Sequence, residues 1–471
     1  MKRLSGMDAA FLYGETPAVH MHTLKVAIVD APQGDSNFLF SRLKHELTKR
    51  LHLMPLFKCK AVNVPLGLHH PIWADDPEFD ISRHVRRLAV VAPGGQRELD
   101  DTIAHIAGRP LRRDRPLWEV WMLEGLPGNE IAYVAKIHHA IADGLASSTL
   151  LNQVMDPADG SSRVTPFPAP SREPSSTPSP TKLAWNALKQ TPARAAGLPS
   201  LMSRTLQGAR RLIRHHRQDG DRLPGPFATE KTVLNTSIGP RRSFATTSIE
   251  FERLRVIKSF LNVTVNDVVL ALVSGALRDF LNTYDMCPEK PLIATVPVSI
   301  ALNHGDMHTQ GNKLSNLFTS LCTNIECPLE RIRAIHLASV SAKQASDCMG
   351  TEILHEWAEY IPPVPYKAGL RLYSDLKLAN RHRPPANVIV SNVRGPDNML
   401  TVGGRKLKRF YSVGPILGGM GLNLTAWSYA GQLNVTALGN HHTVPHIHEI
   451  TNRLEYALQD LEQAIARAKA A

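Results

Sequence analysis

The 471-residue sequence has little cysteine, an excess of basic over acidic residues, and no long apolar run. Its five cysteines form no CxxC pair, which argues against a disulfide framework and a zinc knuckle and favours a reducing compartment. No stretch of about 18 apolar residues occurs, so no transmembrane helix is predicted. Asp8 and Glu15 lie where a signal peptide needs an unbroken apolar stretch. We therefore expect a cytoplasmic protein whose contact with a membrane, if it has one, is peripheral to the inner face.

The composition is that of a globular protein with a positive charge. Hydrophobic residues make up 43% and charged residues 20% of the chain, which excludes a wholly disordered protein. Lys and Arg number 54 against 42 Asp and Glu, a formal net charge of +12. An acidic membrane or a phosphorylated co-substrate would suit this charge. No nucleic-acid partner is predicted, because the basic residues lack a recognisable binding motif and interleaved aromatic side chains.

A Pro- and Ser-rich segment divides the chain. Residues 156–180 are dense in Pro and Ser and repeat at neither the strand nor the helix period. At roughly 150 residues per domain, the length fits two large lobes as well as three units. We predict an N-terminal lobe over residues 1–155, a linker with a basic connector over residues 156–235, and a C-terminal lobe over residues 236–471.

Within the connector, residues 182–217 carry eight Lys and Arg and no acidic residue. Leu201, Leu206 and Ile213 alternate with these basic residues at roughly helical spacing, which is typical of an amphipathic helix at a membrane or lipid-droplet surface. Pro192 and Pro199 interrupt the pattern, and a solvated helix that connects the lobes would show the same residues. Both hypotheses stay open at the level of sequence.

Hydrophobic periodicity predicts mixed secondary structure in both lobes. Strands are predicted at residues 23–29, 131–137, 292–298, 314–322 and 388–391, helices at residues 37–51, 144–155, 265–281 and 446–468, and a hairpin turn at Ala430-Gly431. This mixture of helices and strands predicts an α/β (α+β) fold with two lobes.

The clearest chemical motif is HHxxxDG at residues 138–144, which follows the apolar strand IAYVAKI. A histidine at the end of a strand can project into a cleft and remove a proton near neutral pH. Asp143 lies four residues after His139, and could either orient the imidazole or anchor the loop. Gly144 would let the backbone pass close to a substrate. Paired histidines and an aspartate that satisfy each other's hydrogen bonds in a core turn are the alternative, whereas no metal site is predicted because no third ligand lies at a familiar spacing.

Further segments resemble the bacterial bifunctional wax ester synthase and acyl-CoA:diacylglycerol acyltransferases, within the CoA-dependent acyltransferase superfamily. The shared segments are LSGMDAAFL at residues 4–12, FDI at 79–81, HV at 84–85, RPLWEVW at 115–121, NDVVLA at 266–271, GN at 311–312 and VSNVRGP at 390–396. The HHxxxDG motif alone is similar to that of peptide-synthetase condensation domains, so it indicates only the superfamily. The PLW and ND segments narrow the resemblance to the lipid-making branch. Arg394 stands where family members commonly have Pro.

The resemblance implies two chloramphenicol-acetyltransferase-like lobes with a substrate tunnel between them. It implies an acyltransferase that esterifies diacylglycerol to triacylglycerol, with fatty alcohols as a second acceptor class that gives wax esters. Long-chain acyl-CoA is then a co-substrate, and no cofactor is expected. An acyltransferase with another acceptor or a carrier-bound donor, and a non-catalytic lipid-surface protein, are the alternative hypotheses.

The resemblance also assigns roles to single residues. His139 would be the general base that takes the proton of the acceptor hydroxyl, and Asp143 would orient it or anchor its loop. His138 and Gly144 would belong to the substrate-binding surface, with orientation of the loop as the alternative role of His138. Asn266 is a candidate donor to the oxyanion of the tetrahedral intermediate.

The residues around Asn266 have a second interpretation. Thr264 and Asp267 precede and begin an apolar helix at the spacing of a capping box. We therefore expect Asp267 to have a structural role, and the sequence leaves the role of Asn266 open.

Overall fold

The computed structural model describes residues 2–30, 36–141, 151, 153–159, 178–219, 229–284, 286, 288–299, 314–350 and 352–470. Four residues singled out by the sequence motifs, Asp143, Gly144, Gly311 and Asn312, lie outside the described residues. Most of the predicted helix over residues 144–155 also lies outside them.

Strands and short helices alternate in the first part of the chain. The strands are β1 (Lys2–Arg3), β2 (His22–Asp30), β3 (Cys59–Val62), β4 (Ile72–Asp75), β5 (Val85–Ala89), β6 (Trp118–Leu126), β7 (Glu130–His138) and β8 (Asp156–Pro157). The helices are α1 (Gly6–Gly14), α2 (Ser36–Arg50) and α3 (Gln96–Ala107). The predicted β2, β7 and α2 each lie within one residue of the observed bounds.

The second part of the chain contains the longer helices. The helices are α4 (Pro180–Asp219), α5 (Phe251–Leu261), α6 (Val265–Thr283), α7 (Pro328–Met349), α8 (Ile353–Glu359), α9 (Pro363–Asp375) and α10 (His448–Ala470). The strands are β9 (Arg242–Glu250), β10 (Ile293–Ser299), β11 (Leu314–Ser320), β12 (Val388–Arg394), β13 (Leu400–Val402), β14 (Arg405–Val413), β15 (Leu422–Tyr429) and β16 (Gln432–Asn440). The predicted hairpin joins β15 to β16, and its two turn residues, Ala430 and Gly431, have φ of 47° and 79°, as a two-residue hairpin turn requires.

The N-terminal sheet has the strand order β5-β6-β7-β2-β14-β13-β8, and it therefore takes two strands from the second half of the chain. Strand β2 is buried at nearly every position because both faces of this sheet are covered. Leu24, Val26 and Ile28 face the cluster that includes α3, whereas Ala27 and Val29 face the cluster that includes α2. Successive side chains of a strand point to opposite faces, and Thr23 and Lys25 are an even number of residues from Ala27. Their side chains therefore lie on the α2 side of the sheet.

The C-terminal sheet has the order β11-β10-β12-β15-β16-β9. Helices α6, α7 and α10 pack together, and their apolar residues form the largest hydrophobic core with this sheet. A third sheet, β1-β4-β3, lies near the N-terminus. The fold is thus mixed α/β with two sheet-and-helix lobes, as the sequence predicts.

The basic connector is helical over its described length. Helix α4 contains both Pro192 and Pro199 and packs against α7 and α8. Leu183, Ala187 and Leu201 of this helix are buried. The predicted linker begins with ordered structure, because β8 pairs with β13 and the Asp156 carboxylate forms an ion pair with the buried Arg50 guanidinium.

In the part of the chain that the structure describes, no single helix is both long and apolar enough to cross a membrane. Helices α5 and α6 are long and apolar enough only when they are taken together, and they meet at an angle of 106°. Most residues of α6 are buried in the core of the C-terminal lobe.

Candidate active site

A cavity of about 1440 Å³ lies between the two lobes. Helix α1 and strand β2 line it from the N-terminal lobe, and α6, β10, β12 and β15 line it from the C-terminal lobe. Both His139 and Asn266 border this cavity, although they are more than a hundred residues apart in the sequence. The cavity exceeds the roughly 300–1,000 Å³ that is usual for small-ligand pockets, so it has room for long apolar chains.

His139 follows directly after β7 and is only partly accessible. Its backbone N–H donates to the Met21 carbonyl at 2.8 Å, which ties the residue to the start of β2. Its ring stacks on Phe11, with ring centroids 4.3 Å apart. Burial, followed by the neighbouring charges of His138 and Lys25, lowers the pKa of His139 to about 3. The imidazole is therefore neutral at physiological pH, and a neutral imidazole can accept a proton.

His138 points away from the cavity and is fully buried. Its Nδ1 accepts the backbone N–H of Ala140 at 3.0 Å, so the neutral ring carries its proton on Nε2. This Nε2 lies 3.3 Å from Glu15 Oε1. Burial lowers the pKa of His138, while Glu15 opposes that effect. His138 is thus placed to support the loop that carries His139.

The Glu15 carboxylate also supports the loop that carries His139. No pattern in the sequence predicts this role. Its Oε1 accepts the Met21 N–H at 3.1 Å, and its Oε2 accepts from the Arg113 guanidinium at 2.6 Å. Burial alone would raise the pKa of Glu15, but His138, Arg113 and the Met21 N–H outweigh it and hold the pKa at about 2. Glu15 therefore stays ionised and links Met21, whose carbonyl holds His139, to His138.

Helix α1 brings Phe11 onto His139, and the LSGMDAAFL segment explains its position. The Ser5 hydroxyl accepts the Asp8 N–H at 3.1 Å and caps the helix. A Cβ at Gly6 would lie 2.2 Å from the carbonyl carbon of Ala358, so only glycine allows α1 to approach α8 this closely. In the sequence this segment carries only the family resemblance, and the contact of Phe11 with His139 arises in the fold.

Asn266 is the second residue of α6 and faces the cavity from the C-terminal lobe. The predicted capping box is confirmed, because the Thr264 hydroxyl accepts the Asp267 N–H and the Asp267 carboxylate accepts the Thr264 N–H at 2.9 Å. Asp267 also accepts from His336 Nδ1 at 2.7 Å, which together with Thr264 lowers its pKa despite burial. Asp267 therefore anchors the helix start, and Asn266 presents an amide to the cavity.

Lys25 is the second polar group that the sequence analysis does not identify. It lies on β2, lines the cavity, and donates from Nζ to the Ser412 hydroxyl at 2.6 Å. Burial lowers the pKa of Lys25 to about 8. The signal that could have identified Lys25 is a charged residue inside the otherwise apolar strand TLKVAIV, at a position whose side chain points into the protein.

The arrangement is suited to acyl transfer to a hydroxyl. A neutral imidazole at the cavity wall can take the hydroxyl proton, and an amide from the opposite lobe can donate to a developing oxyanion. The lining of the cavity is mostly apolar, and electrostatic interactions are stronger in such surroundings than in bulk water. The third motif residue, Asp143, lies outside the described residues.

Two domain profiles match the chain. The wax ester synthase/diacylglycerol acyltransferase catalytic domain matches residues 4–269, and the C-terminal domain of the same family matches residues 310–462. A Mycobacterium tuberculosis protein named putative diacylglycerol O-acyltransferase Rv0221 is 38% identical over 96% of this chain and 94% of its own. A second one, Rv1760, is 34% identical over 98% of this chain and 90% of its own.

Solved structures show the same fold. The wax ester synthase/diacylglycerol acyltransferase from Marinobacter aquaeolei VT8 is 25% identical and superposes with a TM-score of 0.70, over 98% of this chain and 99% of that one. The first condensation domain of the calcium-dependent antibiotic synthetase superposes with a TM-score of 0.56 at 15% identity, over 98% of this chain and 96% of that one. The second comparison supports the two-lobed architecture alone.

Proposed function

This chain belongs to the wax ester synthase/diacylglycerol acyltransferase family, and from that premise we propose that it transfers the acyl group of a long-chain acyl-CoA to diacylglycerol, forming triacylglycerol. The observation that carries the proposal is the position of His139 and Asn266 on opposite sides of one large apolar cavity. A fatty alcohol presents the same primary hydroxyl on an apolar body, so it is a second candidate acceptor.

In the proposed reaction His139 takes the proton of the acceptor hydroxyl as the oxygen attacks the thioester carbonyl. The tetrahedral intermediate carries a negative oxygen, to which the Asn266 amide donates. When the intermediate collapses, the carbon–sulfur bond breaks and the CoA thiolate takes the proton back from His139. No covalent acyl-enzyme is needed, because the cavity borders both lobes and can hold both substrates.

The test measures CoA thiol release by the purified protein given a long-chain acyl-CoA with either diacylglycerol or a fatty alcohol. We expect release that requires an acceptor and that falls by at least ~10²-fold in His139→Ala. The exposed His442 lies away from the residues that line the cavity, so His442→Ala is the matched control and should keep full activity. Equal release by wild type and His139→Ala would remove His139 as the base. No release with either acceptor would favour another acceptor or a non-catalytic lipid-surface protein.

We further propose that α4 contacts an acidic lipid surface. Met202, Leu206 and Ile213 are each more than half exposed, and their spacing of four and seven residues places them on one helix face. Trp185 is exposed as well, and basic residues of residues 182–217 flank these positions. Apolar side chains beside cations are typical of an interfacial helix.

Vesicle co-sedimentation tests this contact. We expect the wild type to bind vesicles that contain anionic phospholipid, and the double variant Met202→Ser/Leu206→Ser to bind them at least ~10-fold more weakly because less apolar area is buried. The variant Leu337→Ser, which removes an exposed apolar side chain of α7, is the control. Unchanged binding of the double variant would show that α4 is only a connector between the lobes.

A further inference from the structure

Lys25 is a buried ammonium that the proposed reaction does not use. The residue is 9% exposed, and its side chain borders the cavity. Among the described residues, no carboxylate forms an ion pair with it, and its polar contact is the Ser412 hydroxyl. A buried charge is costly unless it is paired or hydrogen-bonded. The ammonium therefore has donor capacity left for a ligand in the cavity.

Two hydroxyls stand beside this ammonium. Ser412 on β14 pairs directly with Lys25 across the sheet, and its oxygen accepts the Lys25 proton at 2.6 Å, which leaves its own proton to donate. Thr23 lies two residues before Lys25 on the same face of β2 and also borders the cavity. The Thr23 hydroxyl is buried and has no hydrogen-bond partner among the described residues. The three side chains form a donor cluster, defined as Thr23, Lys25 and Ser412.

The surroundings of the donor cluster are apolar. The Lys25 Nζ lies 5.5 Å from the ring centroid of Trp427, which also lines the cavity and belongs to the apolar core of the N-terminal lobe. The aromatic ring stabilises the ammonium in this position but offers no hydrogen-bond acceptor. A carbonyl oxygen of a bound molecule could accept hydrogen bonds from the donor cluster.

The donor cluster lies close to the catalytic histidine. His22 on β2 pairs with His138 at the end of β7, and Lys25 follows three residues later on β2, about 10 Å along the strand. The charge of Lys25 also acts on His139. A molecule whose hydroxyl sits at His139 can therefore place a nearby oxygen against the donor cluster.

We propose that Thr23, Lys25 and Ser412 form a subsite for an ester carbonyl of the acceptor, and that this subsite selects glycerides over simple fatty alcohols. The inference rests on the proposed function and adds its acceptor class. Diacylglycerol carries two ester carbonyls near its free hydroxyl, and each carbonyl oxygen accepts hydrogen bonds. A fatty alcohol has no oxygen besides the reacting hydroxyl, so it would offer the buried ammonium no acceptor beyond the Ser412 hydroxyl. A site built to hydrogen-bond a substrate group discriminates strongly against an analogue that lacks the group.

An ether analogue of the acceptor tests the contribution of the ester carbonyls separately from that of the hydroxyl and the chains. A 1,2-dialkylglycerol keeps the hydroxyl and both chains of diacylglycerol but has ether oxygens in place of the ester groups. The experiment compares kcat/KM for the two acceptors, with one long-chain acyl-CoA, in the full-length wild type and in Lys25→Met. We expect the wild type to prefer the diester by at least ~10-fold and Lys25→Met to lose that preference through slower use of the diester.

Two further variants keep the comparison interpretable. Lys408→Met removes an exposed lysine of β14 that pairs with Asp30 and Glu130, and it should retain the wild-type preference. Ser412→Ala removes a neutral member of the donor cluster and should reduce the preference even where Lys25→Met fails to fold.

Three results would overturn the inference. The first is a wild type that uses the diester and the diether equally well. The second is a preference that Lys25→Met and Ser412→Ala leave unchanged. The third is an equal loss on both acceptors in Lys25→Met, which would place Lys25 in the acyl-transfer step itself. Absence of CoA release with every acceptor would instead refute the proposed function, and with it the acceptor class inferred from it.

Discussion

The low pKa of His139 predicts an unusual response to acid. A histidine with the ordinary pKa of about 6.5 is only about 3% neutral at pH 5, so a reaction that needs it neutral would slow roughly 30-fold between pH 8 and pH 5. Burial and the charges of His138 and Lys25 hold the pKa of His139 at about 3. At pH 5 about 99% of His139 is then neutral. We therefore expect kcat/KM to change less than ~2-fold between pH 7 and pH 5.

The support of His139 persists over the same range. The pKa of Glu15 is about 2, so its carboxylate stays charged at pH 5 and keeps its contacts with Arg113 and the Met21 N–H. No loss of activity through this group is expected above pH 5, because a carboxyl with a lowered pKa is protonated only near that pKa.

The assay follows formation of radiolabelled acylglycerol at subsaturating acceptor, which avoids thiol reagents that fail in acid. Each pH point is paired with a circular dichroism spectrum and a return to pH 7, so that reversible titration is separated from unfolding. His139→Ala gives the background rate. A folded enzyme that loses tenfold or more of kcat/KM with a midpoint near pH 6.5 would refute the reasoning, because His139 would then titrate as an ordinary solvent-exposed imidazole.

The remaining predictions concern single side chains. Asn266→Ala should lower kcat by ~10²–10³-fold with little change in melting temperature, as loss of an oxyanion donor does, whereas Asp267→Ala should lower stability by ~1 kcal/mol or more through the lost cap. Equal melting temperatures for these two variants would contradict the division of roles. Glu15→Gln should reduce kcat by ~10-fold, because the charge that faces His138 is lost, and steady-state rates at constant circular dichroism check it. Asn235 is fully buried, donates to three backbone carbonyls and accepts from Thr232. Asn235→Ala should therefore cost ~3 kcal/mol in urea unfolding, and a loss below ~1 kcal/mol would show that the site relaxes.

Local patterns in the sequence were sufficient to predict the secondary structure near the site. Short apolar runs predicted β2 and β7 to within one residue, and the capping box predicted the start of α6. These signals are local, since strand parity and helix caps depend on residues two to four positions apart. The resemblance to a known family predicted a two-lobed fold with a substrate tunnel. The comparisons confirm the fold, and the structure has a large cavity between the lobes.

Other features depend on contacts between distant residues. The sheet of the N-terminal lobe includes β13 and β14, and no local pattern shows that a strand from the second half pairs with β2. That pairing places Ser412 against Lys25 and makes the donor cluster.

By itself, then, the sequence determined the periodicity of the strands and helices, the HHxxxDG motif and the family. Tertiary structure alone decided which groups surround His139. Glu15 reaches His138, and Phe11 stacks on His139, because the fold brings α1 and the residue that follows it next to the end of β7. The lowered pKa of His139 arises in the same way, since burial and neighbouring charge exist only after the lobes enclose the side chain.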